Sequence, residues 1–113
     1  TSCRNKDYHY YLMIRNNSSA SVYFSPSLNY PDTSIVCPSG YIEIKAGEEY
    51  VDHQRYGWET RIGTTEYYQI FILSPETVAN YTCDSIKETN AILKRYQYSV
   101  SDLNSINWTI EYP

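Results

Sequence analysis

The sequence predicts a mainly β fold with a few short helices. Three observations carry that expectation. Apolar residues recur mostly at every second position, the mark of strands that bury one face. Clusters of Asn, Ser, Gly and Pro break those runs at the spacing of a sheet protein. The chain of 113 residues also has the length of a single core. About seven strand-like runs result, and they are expected to form an antiparallel β-sandwich, immunoglobulin-like or transthyretin-like. Residues 1–7 are read as an N-terminal lipid-anchor or linker segment, and residues 8–113 as one domain.

The elements follow in order. Tyr8 to Arg15 places Tyr8, Tyr10, Leu12 and Ile14 on one face. Asn16-Asn17-Ser18-Ser19 is a turn cluster, and Ala20 to Ser25 alternates again, so the two runs are expected to form a hairpin. Pro26 to Gly40 is punctuated by prolines that disfavour helix before them and is read as a long surface loop. Tyr41 to Lys45 points Ile42 and Ile44 inward. Ala46-Gly47 turns the chain, and Glu48 to Asp52 is a short return strand. Trp58 to Arg61 is the place for one helical turn within a polar stretch. Tyr67 to Leu73 is so continuously apolar that it predicts a central strand covered on both faces. Ser74-Pro75-Glu76 has the residues of a helix start, and Thr82 or Asp84 is suited to cap a second helix ending near Thr89. Ala91 to Val100 is extended, Ser101-Asp102 starts a third helix, and Asn107 to Tyr112 closes the chain as a strand.

Composition bounds the function. Hydrophobic residues make up 42% and charged residues 19%, which is unlike a disordered chain. No run approaches the ~18 apolar residues of a membrane-spanning helix. The net charge of -4 disfavours a nucleic-acid partner, because phosphate binding needs a positive surface. Tyrosine is in excess, with 14 Tyr against two Trp and two Phe. Much of that excess sits at strand positions, where an amphipathic ring fits a half-buried face. The remaining aromatics Tyr30, Tyr41, Tyr56 and Trp58 lie in or beside loops and are the candidate contact residues, since such rings suit glycan or protein surfaces.

The three cysteines are Cys3, Cys37 and Cys83, and none has the close spacing of a zinc or redox pair. Thr1-Ser2-Cys3 fits the end of a lipoprotein signal, with Cys3 as the lipid-attachment residue. Cys37 and Cys83 either form a disulfide or sit as buried thiols.

Catalytic patterns are sparse. Neither His9 nor His53 accompanies a nucleophile elbow, and Asp52 and His53 are strand neighbours whose side chains point to opposite faces. Glu48-Glu49 reads as a solvated turn. No cofactor or metal motif is present, so none is expected. Sequons at Asn16, Asn17, Asn80 and Asn107 are too short to carry an argument.

Four segments together carry a resemblance: Tyr30-Pro31-Asp32-Thr33-Ser34; Ile44-Lys45-Ala46-Gly47-Glu48; Gln69-Ile70-Phe71-Ile72-Leu73; and the block from Leu93-Lys94-Arg95-Tyr96 through Ser101-Asp102-Leu103 to Asn107-Trp108-Thr109-Ile110-Glu111-Tyr112-Pro113. Their order and spacing resemble small uncharacterised lipoproteins of Bacteroides-type gut bacteria, from about Tyr8 to the end. Tyr56-Gly57-Trp58-Glu59 departs from the Ser-Trp-Glu form of that family. The resemblance implies an envelope-exposed β-sandwich, lipid-anchored to the outer membrane, with no assigned activity. Asp84-Ser85-Ile86 also resembles the O-glycosylation motif of these bacteria, with Ser85 as acceptor. The expected function is therefore a non-enzymatic binding or accessory module of the cell envelope, its partner a glycan or an envelope protein. The alternatives are a small envelope hydrolase using His53 with Asp52 or Glu59, and a structural subunit of an envelope complex.

Overall fold

Alternation of apolar and polar side chains builds two sheets here, and the computed structural model describes them over residues 8–63 and 66–113. Seven strands are present among the described residues: β1 (Tyr11–Asn16), β2 (Val22–Ser27), β3 (Ile42–Ile44), β4 (Glu49–His53), β5 (Tyr68–Leu73), β6 (Lys94–Tyr98) and β7 (Thr109–Tyr112). Four short helices join them: α1 (Trp58–Ile62), α2 (Pro75–Asn80), α3 (Cys83–Thr89) and α4 (Val100–Ser105). One sheet has the order β4-β1-β7 and the other β3-β2-β5-β6. Among the described residues no helix is long and apolar enough to cross a membrane.

The two sheets share a core. Leu12 and Ile14 of β1 and Ile110 of β7 meet Val22, Phe24, Ile44, Ile70 and Ile72 of the second sheet. The half-buried rings of Tyr96, Tyr98 and Tyr112 pack against this cluster, as expected of strand tyrosines. A second cluster lies on the other side of β5, where Phe71 and Leu73 meet Ile35 of the long loop and Ile86 of α3. Every residue of β5 is buried, so the expectation of a central strand covered on both faces holds. The Cys37–Cys83 disulfide fastens the loop to α3 in that outer layer, with Cα atoms 5.7 Å apart. It settles the alternative that the spacing left open.

The helix starts follow their caps. Ser74 Oγ accepts from Thr77 N at the head of α2, and Thr82 Oγ1 accepts from Ser85 N at the head of α3. The third expected helix begins earlier than its Ser101-Asp102 signal. Ser99 and Asp102 form a reciprocal capping box, so Ser99 is the cap and Asp102 the third helical residue.

Three expectations need correction. The sheets are not wholly antiparallel, because β1 and β7 pair in parallel, with Ile14 opposite Ile110. β1 and β2 do not form a hairpin: β1 pairs with β4 and β7, and β2 with β3 and β5. The cause is Asn16, which continues the inward face of Leu12 and Ile14 and is fully buried. Its Nδ2 donates to Ala20 O and Ile44 O at 2.8 and 2.9 Å, and its Oδ1 accepts from Ser18 N and Oγ at 3.0 and 2.6 Å. The amide thereby uses all its donors and acceptors to turn the chain from one sheet into the other. The Ala46-Gly47 turn crosses back beside it, with Gly47 N donating to Asn16 O and Asn16 N to Glu48 O, both at 2.9 Å. Trp58 is the third correction. It is not a loop contact residue but a core residue, 1% exposed. Trp58 and Ile62 stand four apart on α1, so the inward face of that helical turn carries both into the main cluster.

Candidate functional site

The four aromatics singled out by sequence do not form one surface. Trp58 packs edge-on against Tyr68 between the sheets, ring centres 5.3 Å apart. Tyr41 belongs to the outer layer, where burial pushes its phenol above the ordinary range. Tyr30 is half-buried and packs on Tyr67 at 4.6 Å. Tyr56 alone stands well out, 63% exposed, with the Arg55 guanidinium 5.5 Å from its ring. Ser85 lies in the first turn of α3 and is half-buried. Cys3 and the anchor segment lie outside the described residues.

The histidines have separate roles in packing. His9 Nδ1 lies 2.7 Å from Glu59 Oε2, its backbone N–H donates to Glu59 Oε1, and its ring stacks on Trp108 at 4.5 Å. Trp58 N donates to His9 O at 2.7 Å. The segment before β1 is thus clipped to α1. Gly57 makes the close approach feasible: a Cβ there would lie 2.9 Å from the Tyr8 ring, and its φ of +93° disfavours side chains. His53 is exposed and stacks on Tyr11 at 4.9 Å. Glu59 is therefore engaged with His9.

Asp52 instead faces the other way, as its strand position requires. It helps to line a cavity of about 240 Å³ between the start of the long loop, the end of β4, α1 and the start of β5. Tyr68 and Trp58 are its aromatic walls, and Ser27, Asn29, Gln54 and Arg61 supply polar groups. Gln54 and Arg61 form no side-chain hydrogen bond or ion pair among the described residues. Burial raises the Asp52 carboxyl above the usual range, partly offset by His53 and its backbone N–H. Trp58 Nε1 donates to Asp52 O at 3.4 Å, which ties the indole to the strand end.

Tyr68 is the anomaly in this cavity. It is 1% exposed, and its buried hydroxyl has no hydrogen-bond partner among the described residues. Burial, with Asp52 and Tyr50 adding to it, drives its phenol far above the ordinary range, so the group stays protonated and can both donate and accept. Leaving such a hydroxyl unpaired costs about 1–3 kcal/mol.

A wider recess of about 500 Å³ lies near Arg15, Tyr98 and Glu111. Its guanidinium is already shared between Glu49 at 3.1 Å and Glu111 at 3.2 Å. Size favours that recess, but unsatisfied chemistry favours the cavity at Tyr68, and a site is defined by the second. Sequence reasoning reads Tyr68 as a strand residue and names Asp52 only as a partner of His53. The available signal was a tyrosine in an otherwise buried strand, whose hydroxyl has to find a partner. Among the described residues no three His, Cys, Asp or Glu side chains converge as metal ligands. Comparison with family models, curated proteins and solved structures finds no match for the chain.

Proposed function

We propose that the chain is a non-enzymatic binding module of the bacterial cell envelope that takes a small polar ligand in the cavity beside Tyr68. In this reading the two sheets form a β-sandwich of the immunoglobulin or transthyretin kind, lipid-anchored to the outer membrane through Cys3. Ser85 is a candidate glycan acceptor on the outer layer.

One observation carries the binding reading. A cavity walled by the Trp58 and Tyr68 rings holds a half-buried carboxylate, an amide and a guanidinium, the last two without side-chain partners among the described residues. Convergent polar groups on aromatic walls are the make-up of a ligand site. The test is two-dimensional NMR of the full chain titrated with a panel of monosaccharides, polyols and amino acids. Saturable shifts of the amides around Tyr68, Asp52 and Arg61 are expected. A panel that leaves those signals unmoved contradicts the reading. For the anchor, native membrane-fraction protein should show a lipid mass on Cys3 with Thr1 and Ser2 absent, and an unmodified mass counts against it.

A second reading, a structural subunit of an envelope complex, rests on the outer face of β1 and β4. Tyr11 and Val51 stand 56% and 47% exposed there. Light scattering and crosslinking in native envelopes distinguish it, since a subunit should be recovered in a defined larger assembly.

A further inference from the structure

A strand at the rim of a sheet presents a row of unpaired backbone groups, and folded proteins guard such rims. Among the described residues the rims are β4 and β7 in one sheet and β3 and β6 in the other. β3 is only three residues long, β6 opens with Lys94 and Arg95, and β7 runs four residues into Pro113. β4 has none of these guards: it runs five residues, Glu49–His53, without lysine, arginine or proline. We infer that β4 is a self-association edge, which pairs antiparallel with β4 of a second copy about a two-fold axis at Val51.

The backbone of β4 is set for this pairing. β1 and β4 are antiparallel, so successive residues of β4 direct their N–H and C=O alternately toward β1 and away from it. Gln54 N donates to Tyr10 O and Asn16 N to Glu48 O, which makes the even-numbered residues the ones that face β1. Met13, opposite Val51, sends its N–H to Trp108 O on the other side. Glu49, Val51 and His53 therefore aim their backbone groups at the open edge. Val51, at the centre, is also 47% exposed.

The occupant is a second copy because the strand is complementary to itself. Turned about Val51, residue 49 meets residue 53 of the partner, and Val51 meets Val51. Glu49 then lies beside the partner's His53 with Cα atoms about 5.5 Å apart, and the reciprocal pair forms across the axis. A carboxylate accepts from an imidazole N–H in either protonation state, and protonation of the histidine adds charge attraction. On the opposite side of the strand Tyr50 stands against the partner's Asp52, a hydroxyl donor against a carboxylate. A register centred on Asp52 instead would set two carboxylates face to face.

A five-residue edge is a small contact, so the expected dimer is a weak one. The experiment is sedimentation velocity of the full chain from about 10 μM to about 1 mM, with cysteine crosslinking to fix the register. The wild-type chain should pass from monomer to dimer over that range. Val51→Lys places two ammonium groups on the axis and should weaken the dimer about tenfold or more, whereas Val51→Thr keeps a β-branched side chain and should preserve it. The exposure of Val51 makes both variants compatible with the fold. Under mild oxidation Val51→Cys should give a reducible dimer beyond that of the wild-type control, which also carries Cys3. Glu49→Cys should not, because the two copies of residue 49 stand about 13 Å apart in this register. A chain that stays monomeric at about 1 mM, a dimer indifferent to Val51→Lys, or one crosslinked through residue 49 rather than 51 overturns the inference. The pairing needs no ligand in the cavity beside Tyr68, so each of these outcomes leaves the proposed function standing.

Discussion

Asn16 and Tyr68 are two polar residues buried on the inward faces of strands, and they are treated in opposite ways. The Asn16 amide makes four hydrogen bonds and fixes the corner where the chain changes sheets. The Tyr68 hydroxyl makes none among the described residues, although its ring is packed against Trp58 in the same core. A satisfied buried group serves the fold. An unsatisfied one costs stability, as does the Tyr41 hydroxyl of the outer layer, which also has no partner among the described residues. The contrast gives a rule for this protein: the corner at Asn16 should be intolerant of change, and Tyr68 should gain stability when its hydroxyl is removed.

The largest expected effect tests the cavity's wall. The long loop that follows Ser27 is tied towards its far end by Cys37–Cys83, which close 46 residues of chain. Replacing both cysteines by alanine should cost about 4 kcal/mol in the chain-entropy picture, measured by urea unfolding. An unchanged midpoint would mean that the outer layer holds itself together by packing alone.

Next comes the corner. Asn16→Ala removes the Nδ2 donor from Ile44 O and from Ala20 O, which keeps Ser18 Oγ, and should cost about 3 kcal/mol by the same assay. Ser18→Ala removes one donor to the amide oxygen and should cost about 1 kcal/mol. If Asn16→Ala is nearly neutral, the two polar residues are alike and the comparison fails.

How far the sequence led follows from the same pair. Period-two patterning was enough to turn Leu12, Ile14, Ile70 and Ile72 inward, and side-chain capping chemistry placed α2 and α3 within a residue. Patterning names the buried face but not the neighbouring strand, so the hairpin expected at Asn16 was read where a crossing between sheets occurs. Trp58 was hidden because its helical partner Ile62 sits in a polar stretch, where a single turn has too short a period to see. The cavity was less legible still. It joins Ser27, Asp52, Arg61 and Tyr68 from four separate elements, and only the fold brings them together.

Smaller effects bear on the cavity. Tyr68→Phe removes the unpaired hydroxyl while keeping the ring, and should raise stability by about 1 kcal/mol. Loss of stability would show that the hydroxyl has a structural partner.

Asp52 supplies the smallest effect, through pH. Its carboxyl is raised by burial, so the folded state holds its proton more tightly than the unfolded chain. The associated stability is full below the unfolded pKa of about 4 and is lost as pH rises through the folded value. Asp52→Asn should flatten that part of the stability profile and be relatively more stable near neutral pH. A profile identical to wild type would place the carboxylate in water.

The most direct measurement is the affinity of Arg61→Ala for whichever small molecule of the panel binds the wild-type chain, taken on protein whose folding has been verified. The variant should be folded, about as stable as wild type because Arg61 is exposed, and weakened in binding by about tenfold or more. A folded Arg61→Ala that binds as tightly as wild type would contradict the central claim that the polar groups of this cavity hold a ligand.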